Sequence, residues 1–385
     1  MIESNSTAHR DMVEWRRNLH QYPETAFAEF LTSDFIAEKL TEFGLTVQRG
    51  LAKTGVVATL KAGNGRHAIG LRADMDALFL EEKNEFAHKS RHQGKMHACG
   101  HDGHCGMLLG AAKYLSKIKK FDGTVHFIFQ PAEENESGGR VMVEEGLFEQ
   151  FPMEGVYGMH NWPGMPVGKM GVRSGPMMAA SDYFRIVVQG KGGHAAIPQL
   201  SVDPVVVAAQ IVTALQTITS RNADPLDAAV VSVTQIHGGS TGNVIPNEVI
   251  LQGTARAFQT EVQDMIEERI SHIAESISSG FGAKTDVHYK RCYPPTINHE
   301  SEAELAVTAA AKVVGESNVI QQLQPSMGAE DFAFMLQKKP GCYVWIGNGM
   351  VEGGCMLHNA NYDFNDDILP IGANYWIKLV ETALS

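Results

Sequence analysis

The segment His97-Ala98-Cys99-Gly100-His101-Asp102-Gly103-His104 gathers three histidines, a cysteine and an aspartate within eight residues. Core packing has little use for such a density of imidazole, thiol and carboxylate, whereas a metal ion requires those lone pairs close together. Two acidic pairs flank the segment along the chain, Asp74 and Asp76 in Arg72-Ala73-Asp74-Met75-Asp76 and Glu133 and Glu134 in Pro131-Ala132-Glu133-Glu134. A hydrolytic metal site needs ligands of fixed geometry, an open position for water, and a base beside it. As ligands the sequence offers Cys99 and His101, Glu134 after a strand, His160 in Gly158-Met159-His160-Asn161-Trp162, and His358 in Leu357-His358-Asn359-Ala360-Asn361. Taken alone, His160 or His358 reads as a structural histidine. As members of a set that includes Cys99 both read as ligands, each expected at the end of an apolar or strand-like stretch.

The adjacent acids Glu133 and Glu134 are expected on a loop, where neighbouring side chains diverge and one can serve as ligand and the other as base. A base next to a metal-bound water raises the share of hydroxide, whose formation the metal already favours. An isolated Glu-Glu pair would be a solvated loop, but Gln130-Pro131 directly after a buried strand argues against a surface charge run. Asp74 and Asp76 admit two readings: a helix cap with a solvated acid, or an acid that orients a ligand and fixes its tautomer. Asp74 has the stronger claim to the site.

These residues need elements to carry them. Glu29 to Phe43 has helical spacing and stops at Gly44. Gly55 to Leu60 and Ala68 to Leu71 read as short buried strands, the second leading into the Asp pair. His104 to Lys120 reads as a helix with lysines near its carboxyl end, and Thr124 to Phe129 as a strand. This alternation predicts an α/β sheet whose ligands collect outside the strand ends. The middle of the chain then gives strand, helix, strand, strand, helix, strand over Tyr183–Gln189, Asp203–Ser220, Ala229–Ile236, Glu248–Phe258, Glu261–Ser279 and Lys284–Lys290. That βαββαβ order predicts a separate ferredoxin-like unit. Ser301 to Val314, Glu330 to Leu336, Cys342 to Ile346 and a closing helix after Asp366 return to the first pattern. The expected organisation is a discontinuous α/β catalytic domain, residues 1–180 and 291–385, interrupted by an inserted domain, residues 181–290.

The chain has 385 residues, enough for two domains, with 44% hydrophobic and 20% charged residues. A net charge of -12 argues against nucleic acid or an anionic membrane as partner. Cys99, Cys105, Cys292, Cys342 and Cys355 are odd in number and scattered, which is unlike a disulfide framework and predicts a cytoplasmic protein. Neither a leader sequence nor a run of about 18 apolar residues is apparent.

Six motifs in order resemble the aminoacylase and carboxypeptidase-like co-catalytic metallopeptidases. They are Arg72-Ala73-Asp74-Met75-Asp76-Ala77-Leu78, Met96 to His104, Pro131-Ala132-Glu133-Glu134, Gly158-Met159-His160-Asn161, Gly192-Gly193-His194-Ala195-Ala196-Ile197-Pro198 and Met327-Gly328-Ala329-Glu330-Asp331-Phe332. The branch that they resemble most contains hippurate hydrolases and hydrolases of indoleacetyl-amino acids. The resemblance implies a catalytic domain holding two divalent metal ions, zinc or manganese with cobalt or nickel possible, and an inserted lid domain that also dimerises. It implies Cys99, His101, Glu134, His160 and His358 as ligands and Glu133 as general base. It also implies His194 as the oxyanion donor, where the residues alone suggest only a glycine-turn loop. Asn243 and Arg256 would hold the substrate carboxylate, although a strand-borne Arg on a solvated face is the plain alternative. Many relatives carry a ligand His where this chain has Arg72, so the metal shell must differ, with Cys99 and a nearby His as the replacement.

The expected activity is hydrolysis of an N-acyl amino acid, whether hippurate-like, N-acetyl or another acyl group. The rivals are an N-acetyl-amino-acid deacetylase or dipeptidase using the same site, and a catalytically silent metal-binding protein. Met177 and Met178 suggest either an adaptable apolar pocket or simple packing.

Overall fold

A computed structural model of the chain describes residues 1–350 and 355–385. It divides into two compact units, the larger comprising Met1–Gly175, Ile297–Gln324 and Asp331–Ser385, the smaller Pro176–Thr296 and Pro325–Glu330. The smaller unit takes in residues on either side of the 181–290 span and a short later segment besides.

The larger unit is built on an eight-stranded mixed sheet. Its spatial order is Thr46–Arg49, Val56–Ala62, Gly123–Gln130, Ala68–Asp74, Gly155–Trp162, Gly341–Gly347, Met170–Gly171 and Val319–Ile320. Ala68–Asp74 is parallel to the strands on both sides of it and buried along its whole length. A strand covered on both faces needs no polar alternation, which is why Ala68-Ile69-Gly70-Leu71 reads as a continuous run of apolar and small residues. The strands Ala68–Asp74, Gly123–Gln130 and Gly155–Trp162 run the same way, so their carboxyl ends open on one side of the sheet. Asp74, the Glu133-Glu134 pair and His160 all belong to that edge.

The smaller unit is a four-stranded antiparallel sheet in the order Ala229–Gly238, Glu248–Ala257, Ser181–Gln189, Lys284–Tyr293. With helices Pro204–Thr217 and Thr260–Gly280 this is the ferredoxin-like arrangement that the sequence order predicts. Val249, Leu251, Ala255 and Ala257 alternate into a core with Val207, Ile211, Leu215, Ile266 and Ile270 of the helices. Asp203 caps the first helix by accepting from the Val205 amide at 2.9 Å. Met177 and Met178 are buried, so packing is the reading that holds for them.

Among the described residues no helix is long and apolar enough to cross a membrane. The helix Thr7–Gln21 carries a buried ionic network to the start of His101–Ile118. Arg16 Nε donates to Asp102 at 2.7 Å, and His20 Nδ1 reaches the same carboxylate at 2.9 Å while its Nε2 lies 3.2 Å from Glu82. Burial opposes charge on His20, but hydrogen bonds to Asp102 and Glu82 outweigh it and push the imidazole up to about 9. A raised histidine contributes stability that is fully present below the ordinary histidine range and is lost as pH rises through about 9. The melting temperature of the wild type is therefore expected to fall as the pH is raised across about 9, and His20→Gln to flatten that decline. Equal slopes in the two proteins would remove His20 as its source.

Candidate metal centre

The cluster around Cys99 is shaped by a helix start. His101–Ile118 begins directly after Gly100, three residues earlier than the spacing from His104 suggests. Gly100 has φ +93, a left-handed conformation that side chains rarely adopt, and it turns the chain from the Cys99 loop into the helix. His101 and His104 then stand nearly one turn apart on one face, their rings stacked with centroids 5.4 Å apart. Both His104 nitrogens are engaged, Nδ1 at 2.5 Å from Asp74 and Nε2 at 2.6 Å from the Asn161 side chain. His104 therefore serves to join Asp74 to Asn161.

His160 lies on the strand Gly155–Trp162, with its Nδ1 2.7 Å from the Asn161 carbonyl. Glu133 and Glu134 do not sit on a loop: they open a single helical turn, Glu133–Glu136, bracketed by the left-handed residues Ala132 and Ser137. The buried strand before them ends at Gln130, and the left-handed Ala132 joins it to this turn. His358 is likewise not at a strand end. It occupies a turn at φ +61, a costly conformation for this side chain, and its amide donates to the Ala98 carbonyl at 2.8 Å. That bond brings His358 to the Cys99 loop.

The side chains of Cys99, His101 and His160 present ligand atoms within 4.8 Å of one another, and so do those of Cys99, Glu134 and His358. Cys99 Sγ is 3.3 Å from His160 Nε2, and Glu134 Oε1 is 3.3 Å from His358 Nε2 and 3.8 Å from His101 Nε2. Two donor groups sharing one thiol suit a pair of adjacent ions. Two buried atoms support that fit: His101 Nε2 and Glu134 Oε1 make no hydrogen bond, their approach to each other and to His358 lacking the required distance or direction. Buried polar atoms are rarely left so. The other nitrogen of His101 is tied to Asp76, 2.9 Å from its carbonyl and 3.2 Å from its carboxylate, which leaves Nε2 to face the cluster. Asp76 also accepts from the Glu134 amide at 3.0 Å. It is Asp76 that orients His101 and Glu134, whereas Asp74 engages His104 and lies 3.7 Å from His101 Nε2. The sequence signal for Asp76 was only its place two residues past the strand end.

Charge in this cluster follows the same logic. Burial raises Cys99, and Glu134, Glu133 and Asp74 raise it further, so a thiolate there calls for a cation. Burial opposes charge on His101, yet Asp74, Asp76 and Glu134 push it up to about 10, a measure of how strongly the surroundings attract positive charge. Burial and His104 hold His160 well below the usual histidine range, leaving it neutral as a ligand must be. Glu134 is lowered: burial opposes its ionisation, but His358 and His101 favour it. Glu133 is buried beside this cluster, and one of its oxygens accepts from the Asp331 amide at 3.4 Å. His101, Glu133 and Glu134 also lie within 4.8 Å of one another through their ligand atoms. Arg72 donates to Asp74 at 2.8 Å, Gln130 at 2.8 Å and Asp331 at 3.0 Å, so its charge is spent on the acids around the donors.

The remaining residues singled out from the sequence lie on the smaller unit. His194 is exposed on a two-residue strand paired with Val244–Ile245, and the Ala196 amide donates to its Nδ1 at 3.1 Å. Asn243 adjoins it, its carbonyl accepting from the Ala195 amide at 3.1 Å. Arg256 lies on Glu248–Ala257, opposite Val230, on the face turned away from the helices.

Comparison with known proteins extends this geometry. The chain is 40% identical over 364 residues to the hippurate hydrolase of Campylobacter jejuni, covering 94% of each protein. It is also 40% identical over 373 residues to the N-acetyl-L-cysteine deacetylase of Bacillus subtilis, covering 97% of this chain and 88% of the relative. Among solved structures it matches the Bacillus subtilis YXEP protein, described as a dinuclear metal binding peptidase from M20 family, with a TM-score of 0.87, 34% identity and 98% of both chains covered. Residues 70–382 match Peptidase family M20/M25/M40, and the chain belongs to that family.

Proposed function

We propose that this protein is a two-metal amidohydrolase that cleaves the amide bond of an N-acyl amino acid, releasing a carboxylic acid and the free amino acid. The observation that carries this reading is the pair of donor groups sharing Cys99, with Glu133 in the same buried cluster. The 40% identity to both a hippurate hydrolase and an N-acetyl-L-cysteine deacetylase supports the substrate class and leaves the acyl group to experiment.

Cys99, His101, Glu134, His160 and His358 would hold the ions. When bound, divalent ions would lower the pKa of a water and polarise the amide carbonyl. Glu133 takes a proton from the attacking water on a carboxylate oxygen and returns it to the amine nitrogen as the C–N bond breaks. Asp76 keeps His101 Nδ1 engaged so that Nε2 faces inward, and Asp74 holds His104 and the donors around it. His194 is assigned the donor to the developing oxyanion, and Asn243 and Arg256 the substrate carboxylate, for which a guanidinium offers two parallel hydrogen bonds. The thiol of Cys99 favours zinc, while the imidazole and carboxylate donors suit manganese, cobalt or nickel as well. Five free cysteines support a reducing, cytoplasmic setting. The strand Ala229–Gly238 is paired on one side only and exposes Ile236, which supports the smaller unit as a lid domain that also dimerises.

The direct test is a panel of N-benzoyl, N-acetyl and N-indoleacetyl amino acids, assayed for release of the amino acid after exhaustive chelation and after zinc or manganese is restored. Turnover is expected only with metal. Activity that survives chelation would refute the mechanism, and cleavage of dipeptides with none of the acyl amino acids would move the protein to the dipeptidases. Replacing Glu133 by Gln is expected to lower kcat by about 10²- to 10⁴-fold while metal content stays at two ions; a variant of near-normal rate would exclude Glu133 as the base. His194→Ala should lower kcat by about 10²- to 10³-fold with little change in melting temperature. Loss of folding in that variant would instead mark His194 as structural.

A further inference from the structure

We propose that the segment Leu357–Asp366 is a strap that seats His358 in the donor cluster, with Arg16 and Tyr362 as the positioning residues that fasten it. The inference rests on the assignment of His358 as a ligand made above. His358 differs from the other donors in its support: it sits in a turn at φ +61 on a half-exposed side chain, with no regular element beneath it. Something else must fix its position, and its own amide and the residues that follow it do so at three segments that carry other donors.

At the Cys99 loop, the His358 amide donates to the Ala98 carbonyl at 2.8 Å. At the His160 strand, Asn161 Nδ2 donates to the buried Tyr362 hydroxyl at 2.6 Å, and Asn161 is the residue whose carbonyl engages His160. At the His101 helix, Arg16 joins Asp102, the neighbour of His101, to Asp363 and to Asp366, the last at 3.4 Å. The Arg16 side chain is fully buried, so its charge has to be met by these acids. Two glycines leave room for the strap. A Cβ on Gly100 would lie 2.9 Å from Tyr362 Oη, and one on Gly103 would fall 2.3 Å from the Phe364 ring. Asn84 and the Lys83 amide hold its outer side, donating to the carbonyls of Tyr362 and Ala360 at 2.9 Å each.

This arrangement predicts a selective effect on one of two bound ions. Metal-free wild type, Tyr362→Phe, Asp363→Asn and His358→Ala would each be titrated with zinc against a fluorescent chelator, with metal-free melting temperatures measured alongside. Tyr362→Phe removes one hydroxyl and keeps the ring in place, so it maintains the test should Asp363→Asn fold poorly. Wild type is expected to take up two ions. His358→Ala should weaken one binding event, and both strap variants should weaken that same event by about 10- to 100-fold while leaving the other unchanged. Saturating zinc should restore their kcat. Strap variants that bind both ions as wild type does, while His358→Ala loses one, would overturn the strap and leave the ligand assignment standing. Equal weakening of both events together with a fall in melting temperature would also overturn it, since that marks a general structural role. Wild-type binding by His358→Ala would remove His358 as a ligand and the strap with it.

Discussion

Burying many carboxylates close together is the constraint on which this structure depends. A charge taken out of water is tolerated only when it is paired, and breaking one buried pair costs about 3–5 kcal/mol. Asp74, Asp76, Asp102, Glu82 and Glu133 are all buried in the larger unit, and Glu134 has an almost fully covered side chain. Each acid is met by a specific partner. Asp74 has Arg72 and His104, Asp76 has His101, Asp102 has Arg16 and His20, and Glu82 has His20. In the group around Cys99, His101 and Glu134, the buried atoms His101 Nε2 and Glu134 Oε1 have no hydrogen-bond partner. A site arranged in this way is completed by cations, and the acids behind it have their own partners and so do not compete for them.

The fold makes that concentration of charge reachable. Three parallel strands end on one side of the larger sheet, and a helix start supplies Cys99 and His101 beside them. A left-handed glycine joins the Cys99 loop to the helix, and left-handed residues bracket the turn at Glu133. The local strain lies where backbone must reverse within a residue or two to point a donor inward, as sites of this kind require. Regular elements carry the rest of the load: Ala68–Asp74 and Gly155–Trp162 are buried along nearly their whole length, so the residues at their ends inherit rigid positions.

Much of this was legible in the sequence, because the signals were local. A continuous apolar run announces a central strand, and the spacing of Val249, Leu251, Ala255 and Ala257 announces one half-buried on an antiparallel sheet. The order of six elements is enough to name the ferredoxin-like unit. The density of donors around Cys99 also needs no structure to be noticed. What the sequence conceals is pairing across distance. Arg16 and Asp102 are 86 residues apart, and Arg16 and Asp363 are 347 apart, so nothing in either neighbourhood announces the other. The helix Thr7–Gln21 carries a weak sequence signal, since its inner face includes Arg16 and His20 beside its apolar side chains. The contacts of Asp76 to His101 and to the Glu134 amide are concealed in the same way, since its place two residues past the strand end announces neither.

Arg72 shows how one substitution redistributes such a site. The resemblance places a ligand histidine at this position in many relatives, but a guanidinium carries no lone pair that a metal can use. Here it is fully buried and divides its donors among Asp74, Gln130 and Asp331. Asp331 in turn accepts from the Gln130 side chain and from the Gly139 amide, and its own amide reaches Glu133. Arg72 therefore reaches the surroundings of Glu133 through Asp331. Cys99 belongs to both the His101–His160 group and the Glu134–His358 group. Cations held there would offset the electrostatic cost that burial and three neighbouring carboxylates impose on a Cys99 thiolate. The arginine and the cysteine thus bear on a common acid, because Arg72 pairs with Asp74 and Asp74 is one of the carboxylates that oppose a Cys99 thiolate.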